Sequence, residues 1–309
     1  MAWSRRNLAA PRNVEQRMPN ARRLSLLASL VLAAVACSPA GGPPASAEPS
    51  SAPSLDPAAI AHPTGADEVV LRYEDGGGHM MFEWALTQVP IFTLYGDGTV
   101  VFRDPATQPS ADADGLLAYH PMRVARLSED QVQALLAFAI NQGGLGVARD
   151  RYDHPMVADA NTASFTLNAE GGTRTVEVYA LGLDEGAPDR PIRAQFVGLA
   201  DRLRAFDEGG ALPTAEYTPH GWRAVLVESQ GVPARTHAWP WPDLTPKDFV
   251  AEPEEPSLPE IPVRVLTAEE VGAMGLGELK GGLLGYYVKA PDGVVYNLPL
   301  RPLLPDEER

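Results

Sequence analysis

The sequence predicts an α+β fold: antiparallel β-hairpins with helices packed on one face, arranged as two small lobes. Three observations carry this. Glycine-rich turns separate short runs of β-branched, aromatic and alternating residues, the signature of half-buried strands. Two longer segments repeat apolar residues every three or four positions, the period of an amphipathic helix. The patterns follow one another as hairpin, helix, hairpin, helix, and two helices on one side of an antiparallel sheet bury these faces most simply.

The elements run as follows. Val69-Val70-Leu71 reads as a first strand. Ile91 to Tyr95, Gly96-Asp97-Gly98 and Thr99 to Phe102 read as a hairpin, because its turn residues tolerate positive φ. Ser128 opens a helix as N-cap with Gln131 as capping-box partner, and Val132, Leu135, Leu136, Ala139 and Ile140 share one face. Gly143-Gly144 stops it. Phe165 and Leu167 alternate into a turn at Gly171-Gly172, and Val176 and Val178 alternate back. A second helix starts at Pro191, with Ile192, Phe196, Leu199, Leu203 and Phe206 on one face and Gly209-Gly210 at its end.

Residues 67–210 make the first lobe, and 208–221 are a joint with two prolines and three glycines. The second lobe, 220–309, starts with a strand at Ala224 to Val227. Trp239-Pro240-Trp241-Pro242 and a Pro/Glu-rich stretch at 252–262 follow. Val263 to Leu266 is a short strand, and Thr267 caps a short helix with Glu270 as its box partner. Tyr286 to Lys289, Pro291-Asp292-Gly293 and Val294 to Leu298 form a third hairpin.

The N-terminus reads as an address. Arg22-Arg23 precedes an uncharged run, Leu24 to Ala36, too short for the roughly 20 apolar residues that span a bilayer. The chain's one cysteine, Cys37, stands directly after it. Ala34-Val35-Ala36-Cys37 resembles the lipobox of bacterial lipoproteins, with Ala34 where leucine is commoner. The resemblance implies a signal peptide over 1–36 and lipid on Cys37. It also implies anchoring on the extracytoplasmic face of the cell membrane, or in an outer membrane where the host has one. A start at Met18 would leave a compact signal, so translation begins at Met1 or Met18. Residues 37–66 hold seven prolines among alanines and serines and no apolar period, which predicts a tether. Extended as polyproline it would reach about 90 Å.

The stretch 68–207 resembles a bacterial family of exported domains whose activity is not known. The resemblance rests on Pro90 to Val100, on Leu127-Ser128-Glu129-Asp130, on Tyr152 with Asp159, and on Thr173-Arg174-Thr175-Val176. That family often carries two cysteines before its first hairpin, and this chain has none there. The tail Leu300 to Asp306 resembles the ends of lipoproteins from high-GC bacteria. Together these imply a fold and an exported address, and no chemistry.

Charge excludes one class of partner. The chain carries a formal −15; without residues 1–37 it has 19 basic and 39 acidic residues, a net of −20. Such a surface repels nucleic acid. No cofactor motif of Walker or Rossmann type is present. The six histidines (62, 79, 120, 154, 220 and 237) are scattered, with none at helix-face spacing. Asp112, Asp114 and Gly115 look like the middle of a calcium loop, but Pro121 stands where its closing carboxylate belongs. Asp150 with Asp153 and Asp184 with Glu185 are carboxylate pairs of the kind that so many acids produce by chance.

Trp239 and Trp241, stiffened by the prolines, could form an aromatic ridge that anchors a partner, or could pack and tie a loop down. Two functions remain: a lipid-anchored binding or envelope-assembly module for an envelope protein or glycan, or a cell-envelope hydrolase with a dispersed active site. No catalytic residue can be named from the pattern.

Overall fold

A computed structural model describes residues 59–106, 110–112, 114–252 and 261–307. The signal segment, Cys37 and the tether as far as residue 58 lie outside the described residues, as does most of the Pro/Glu-rich stretch. The described residues form three mostly antiparallel sheets with four α-helices, an α+β fold.

The first sheet has eight strands in the order Thr214–Glu216, Met122–Arg126, Thr99–Arg103, Phe92–Tyr95, Val69–Gly76, Thr162–Ala169, Gly172–Tyr179 and Arg151–Tyr152. Both expected hairpins are there, with Phe92 opposite Phe102 and Phe165 opposite Val176. The last strand pairs parallel to its neighbour. Alternation puts Leu71, Tyr73, Phe92, Phe102, Phe165 and Val178 on one face, where they form one apolar cluster with both long helices.

Those helices begin where the sequence says. Helix α2, Glu129–Asn141, is capped reciprocally: Ser128 Oγ accepts from Gln131 N, and Gln131 Oε1 accepts from Ser128 N at 2.8 Å. Helix α3, Arg190–Arg204, has proline in its first turn and buries Phe196, Leu199 and Leu203. It stops before the expected glycines, because Asp207 turns the chain with φ +55 and accepts from the Leu212 amide. A short helix, α1, Phe82–Ala85, was not legible in the sequence. The fourth helix, α4, Ala268–Gly272, carries the expected Thr267–Glu270 capping box.

The second sheet has seven strands, ordered Val250–Glu252, Ile261–Leu266, Trp222–Val225, Leu300–Pro302, Gly282–Leu284, Leu117–Tyr119 and Ser110–Ala111. The third has four, including the expected hairpin Tyr287–Lys289 with Val295–Asn297. Two large apolar clusters form, one drawn from residues 70–203 and one from 222–300. The chain stitches them together. Strands at 110–119 leave the first lobe's sequence and join the second sheet, while 214–216, inside the expected joint, joins the first. All described residues fall in one compact unit. No helix among them is long and apolar enough to cross a membrane.

Candidate functional site

The largest concentration of unusual side chains lies at one end of the first sheet. There Val69–Gly76 and Thr99–Arg103 finish, and Phe92–Tyr95 and Thr162–Ala169 begin. A cleft of about 410 Å³ opens there, lined among others by Asp75, Trp84, Arg103, His120, Asn161 and Arg204. That volume lies within the roughly 300–1,000 Å³ of small-ligand sites.

His120 stands where the chain leaves the second sheet at Tyr119 and enters the first at Met122. Its φ of +48 is a left-handed backbone that a side chain with Cβ adopts at a cost, and such strain is concentrated at functional positions. The approach of the two strands depends on glycine. Tyr119 pairs with Gly282, and a Cβ there would lie 2.2 Å from the Tyr119 ring. The Tyr119 hydroxyl donates to Thr87 O at 2.9 Å, and its ring stacks on Trp84 at 4.7 Å. Trp84 meets His120 edge-on at 5.6 Å. Helix α1 is thereby held against the end of the strand Leu117–Tyr119, next to His120.

Arg103 ends its strand half-buried, on the face opposite Val100 and Phe102. Its Nη1 lies 3.1 Å from His120 Nε2, and its Nη2 donates to Gln88 Oε1 at 3.3 Å and to the Val89 carbonyl. Its Nε is buried with no hydrogen-bond partner among the described residues. Burial pushes the guanidinium down to about 10, so it stays charged at neutral pH. A guanidinium has no acceptor, so Nε2 of His120 must be the accepting lone pair. The imidazole is therefore neutral with its proton on Nδ1. Burial first and the Arg103 charge second push His120 down to about 3.

Across the cleft Arg204, the last residue of α3, donates to Asp75 at 2.6 Å and lies over the Tyr73 ring at 5.3 Å. The Tyr73 hydroxyl also donates to Asp75, and burial raises its pKa. Gly77 and Gly78, both at positive φ, let the following loop close on Asp159 and Ala160 beside Asn161; a Cβ at Gly78 would lie 2.8 Å from Asp159 O.

The residues singled out from the sequence lie elsewhere. Of the two readings of Trp239 and Trp241, an exposed ridge or a packed pair, the geometry is that of a packed pair. Trp241 is 4% exposed within the second apolar cluster and donates to Glu270 O at 2.7 Å. Trp239 is half-buried, meets Trp241 edge-on at 5.1 Å and donates to Leu244 O. Proline-stiffened indoles here bury apolar area and satisfy their N–H groups instead of projecting. Asp112 accepts from the amides of Asp114 and Leu116, and Asp114 pairs with Arg235, so these carboxylates close a loop. Among the described residues no group of three or more His, Cys, Asp or Glu is placed to hold a metal ion.

The carboxylate pairs are likewise engaged: Asp153 with Arg151, and Asp184 with the fully buried Arg193. Of the six histidines only His120 reaches the cleft. Sequence reasoning missed Arg103, Asn161 and Arg204 because they come together only through strand register. Comparison of the chain with protein-family models, with curated proteins and with solved structures finds no match.

Proposed function

We propose that this protein is a lipid-anchored module on the extracytoplasmic face of the membrane that binds a small polar ligand in the cleft above Arg103 and His120. The observation that carries the binding reading is the half-buried Arg103 in the lining of a cavity of ligand size, its Nε buried without a hydrogen-bond partner among the described residues and its Nη1 held against a neutral imidazole. Groups of this kind cost free energy to bury and are kept where they meet a ligand. The same geometry favours binding over hydrolysis. The Nε2 lone pair of His120 is occupied by Arg103, and a basicity pushed down to about 3 suits no general base at neutral pH. Asp75 is tied to Arg204 at 2.6 Å.

The address rests on the single cysteine directly after the uncharged run 24–36 and on the proline-rich tether behind it. Two acyl chains give stable anchoring, whereas one gives marginal binding.

Metabolic labelling with an alkynyl palmitate, in a bacterial host, tests the anchor. The wild-type chain is expected in the membrane fraction and labelled; Cys37→Ser is expected unlabelled and released. Label on neither chain overturns the anchor. The cleft is tested by thermal-shift screening of the detergent-solubilised full chain against small polar metabolites. A shift by at least one compound, lost in Asn161→Leu, is expected; no shift by any compound overturns the binding reading.

A further inference from the structure

The lining of the cleft narrows what it can hold. We infer that its ligand is a neutral saccharide, an inference that rests on the binding reading above. Charge is the first argument. Two guanidiniums (Arg103 and Arg204) face two carboxylates (Asp75 and Asp104), so the site carries no net formal charge. Arg204 is already neutralised by Asp75 at 2.6 Å. To pair with Arg204 a carboxylate or phosphate ligand would have to displace that partner, and it would approach a body that carries −20 after residue 37.

Hydrogen-bonding type is the second argument. The lining mixes pure donors (the guanidiniums and His120 Nδ1–H), pure acceptors (the carboxylates) and the two-way amides of Asn161 and Gln88. A hydroxyl both donates and accepts, and neighbouring hydroxyls on a sugar ring match the forked edges of guanidinium and carboxylate. An apolar ligand would leave unmet the hydrogen-bonding positions that these groups do not use on one another, and an ion would use only half of them.

The third argument is Trp84. Tyr119 covers one face of its indole, the ring lines the cleft, and the stack on Tyr119 fixes its plane. The face of an aromatic ring is electron-rich, and the axial C–H groups of a pyranose are weakly positive, so a sugar ring stacks on it. Polar side chains around a fixed aromatic platform fit a ring with a polar rim and an apolar face.

Calorimetric titration of the detergent-solubilised full chain tests this with five probes. N-acetylglucosamine trimer and maltotriose are neutral; glucuronate, glucose 6-phosphate and citrate are anionic. Saturable binding of at least one neutral trisaccharide is expected, weakened about tenfold or more by Trp84→Ala, the loss of one ring stack. Asn161→Leu, which leaves the Trp84–Tyr119 stack in place, is expected to weaken it too, with the melting temperature kept. Binding of the anionic probes alone overturns the saccharide assignment and leaves the cleft a binding site. Binding of none overturns the saccharide assignment, and the metabolite screen then decides the binding reading separately. A bound trisaccharide that also displaces the chain from insoluble envelope glycan identifies a polymer as the source; no sedimentation with that glycan identifies a free sugar.

Discussion

Arg72 on the first strand and Asp306 in the C-terminal tail are joined by two contacts of 2.7 and 2.8 Å from one guanidinium nitrogen to both carboxylate oxygens. The Tyr95 hydroxyl donates to the same carboxylate at 2.7 Å. The tail thus covers the sheet face opposite the helices, with Leu304 packed among Val89, Tyr95, Val101 and Met122. Asp306→Ala leaves Arg72, with solvent reaching only 19% of its side chain, without its hydrogen-bonded carboxylate. The expected loss is about 2–3 kcal/mol, below the ~3–5 of a fully buried pair. Urea denaturation measures it, and Arg72→Met combined with Asp306→Leu is expected to recover most of it. A double variant as weak as the single would count against this account.

His120 makes stability depend on pH. Its folded pKa, about 3, lies below the unfolded value near 6.5. Between these values the unfolded chain binds a proton that the folded chain does not, so stability is full above about pH 6.5 and falls as pH drops toward 3. The slope from this group is at most about 1.4 kcal/mol per pH unit. Asn tolerates the left-handed backbone, so His120→Asn keeps the turn. It is expected to flatten the urea midpoint between pH 6.5 and 4.5; an unchanged slope would refute the assignment.

Arg193 is fully buried and holds a corner together. Its two terminal nitrogens donate to the carbonyls of Tyr179, Tyr152 and Asp153 at 3.0 to 3.2 Å. Arg193→Ala strands those carbonyls and is expected to cost about 3–5 kcal/mol in chemical unfolding. Arg193→Lys is expected to recover only part, because a point ammonium cannot fork between two loops.

Gly282→Ala tests the close approach of two neighbouring strands of the second sheet. The added Cβ falls on the Tyr119 ring, so the ring or the strand must shift, at an expected cost of about 1–3 kcal/mol. Because Tyr119 carries Trp84, the near-ultraviolet circular dichroism is expected to change with it. A neutral substitution would mean that the strands adjust freely.

Trp241→Ala separates packing from recognition. With the indole buried in the second cluster, the expected loss is about 3–5 kcal/mol by urea unfolding. Binding in the cleft is expected to stay unchanged at a temperature where the variant is folded. Weaker binding without destabilisation would restore the ridge as a recognition element.

What the sequence by itself determined is what local physics controls. The turn at Gly96-Asp97-Gly98, the caps at Ser128 and Thr267, and the apolar faces of α2 and α3 follow from residues within a few positions of one another. The proposed export address is read locally in the same sense, from an apolar run of one length before one cysteine. Only the tertiary structure decided the site. Asp75, Arg103, His120 and Arg204 are separated by many residues and meet because strand register brings four strand ends together. The crossing of 110–119 into the second sheet depends on Gly282 lying under Tyr119, and the burial of Trp241 on a core drawn from distant segments. Those outcomes depend on which surfaces pack against which, and no window of the chain contains both partners.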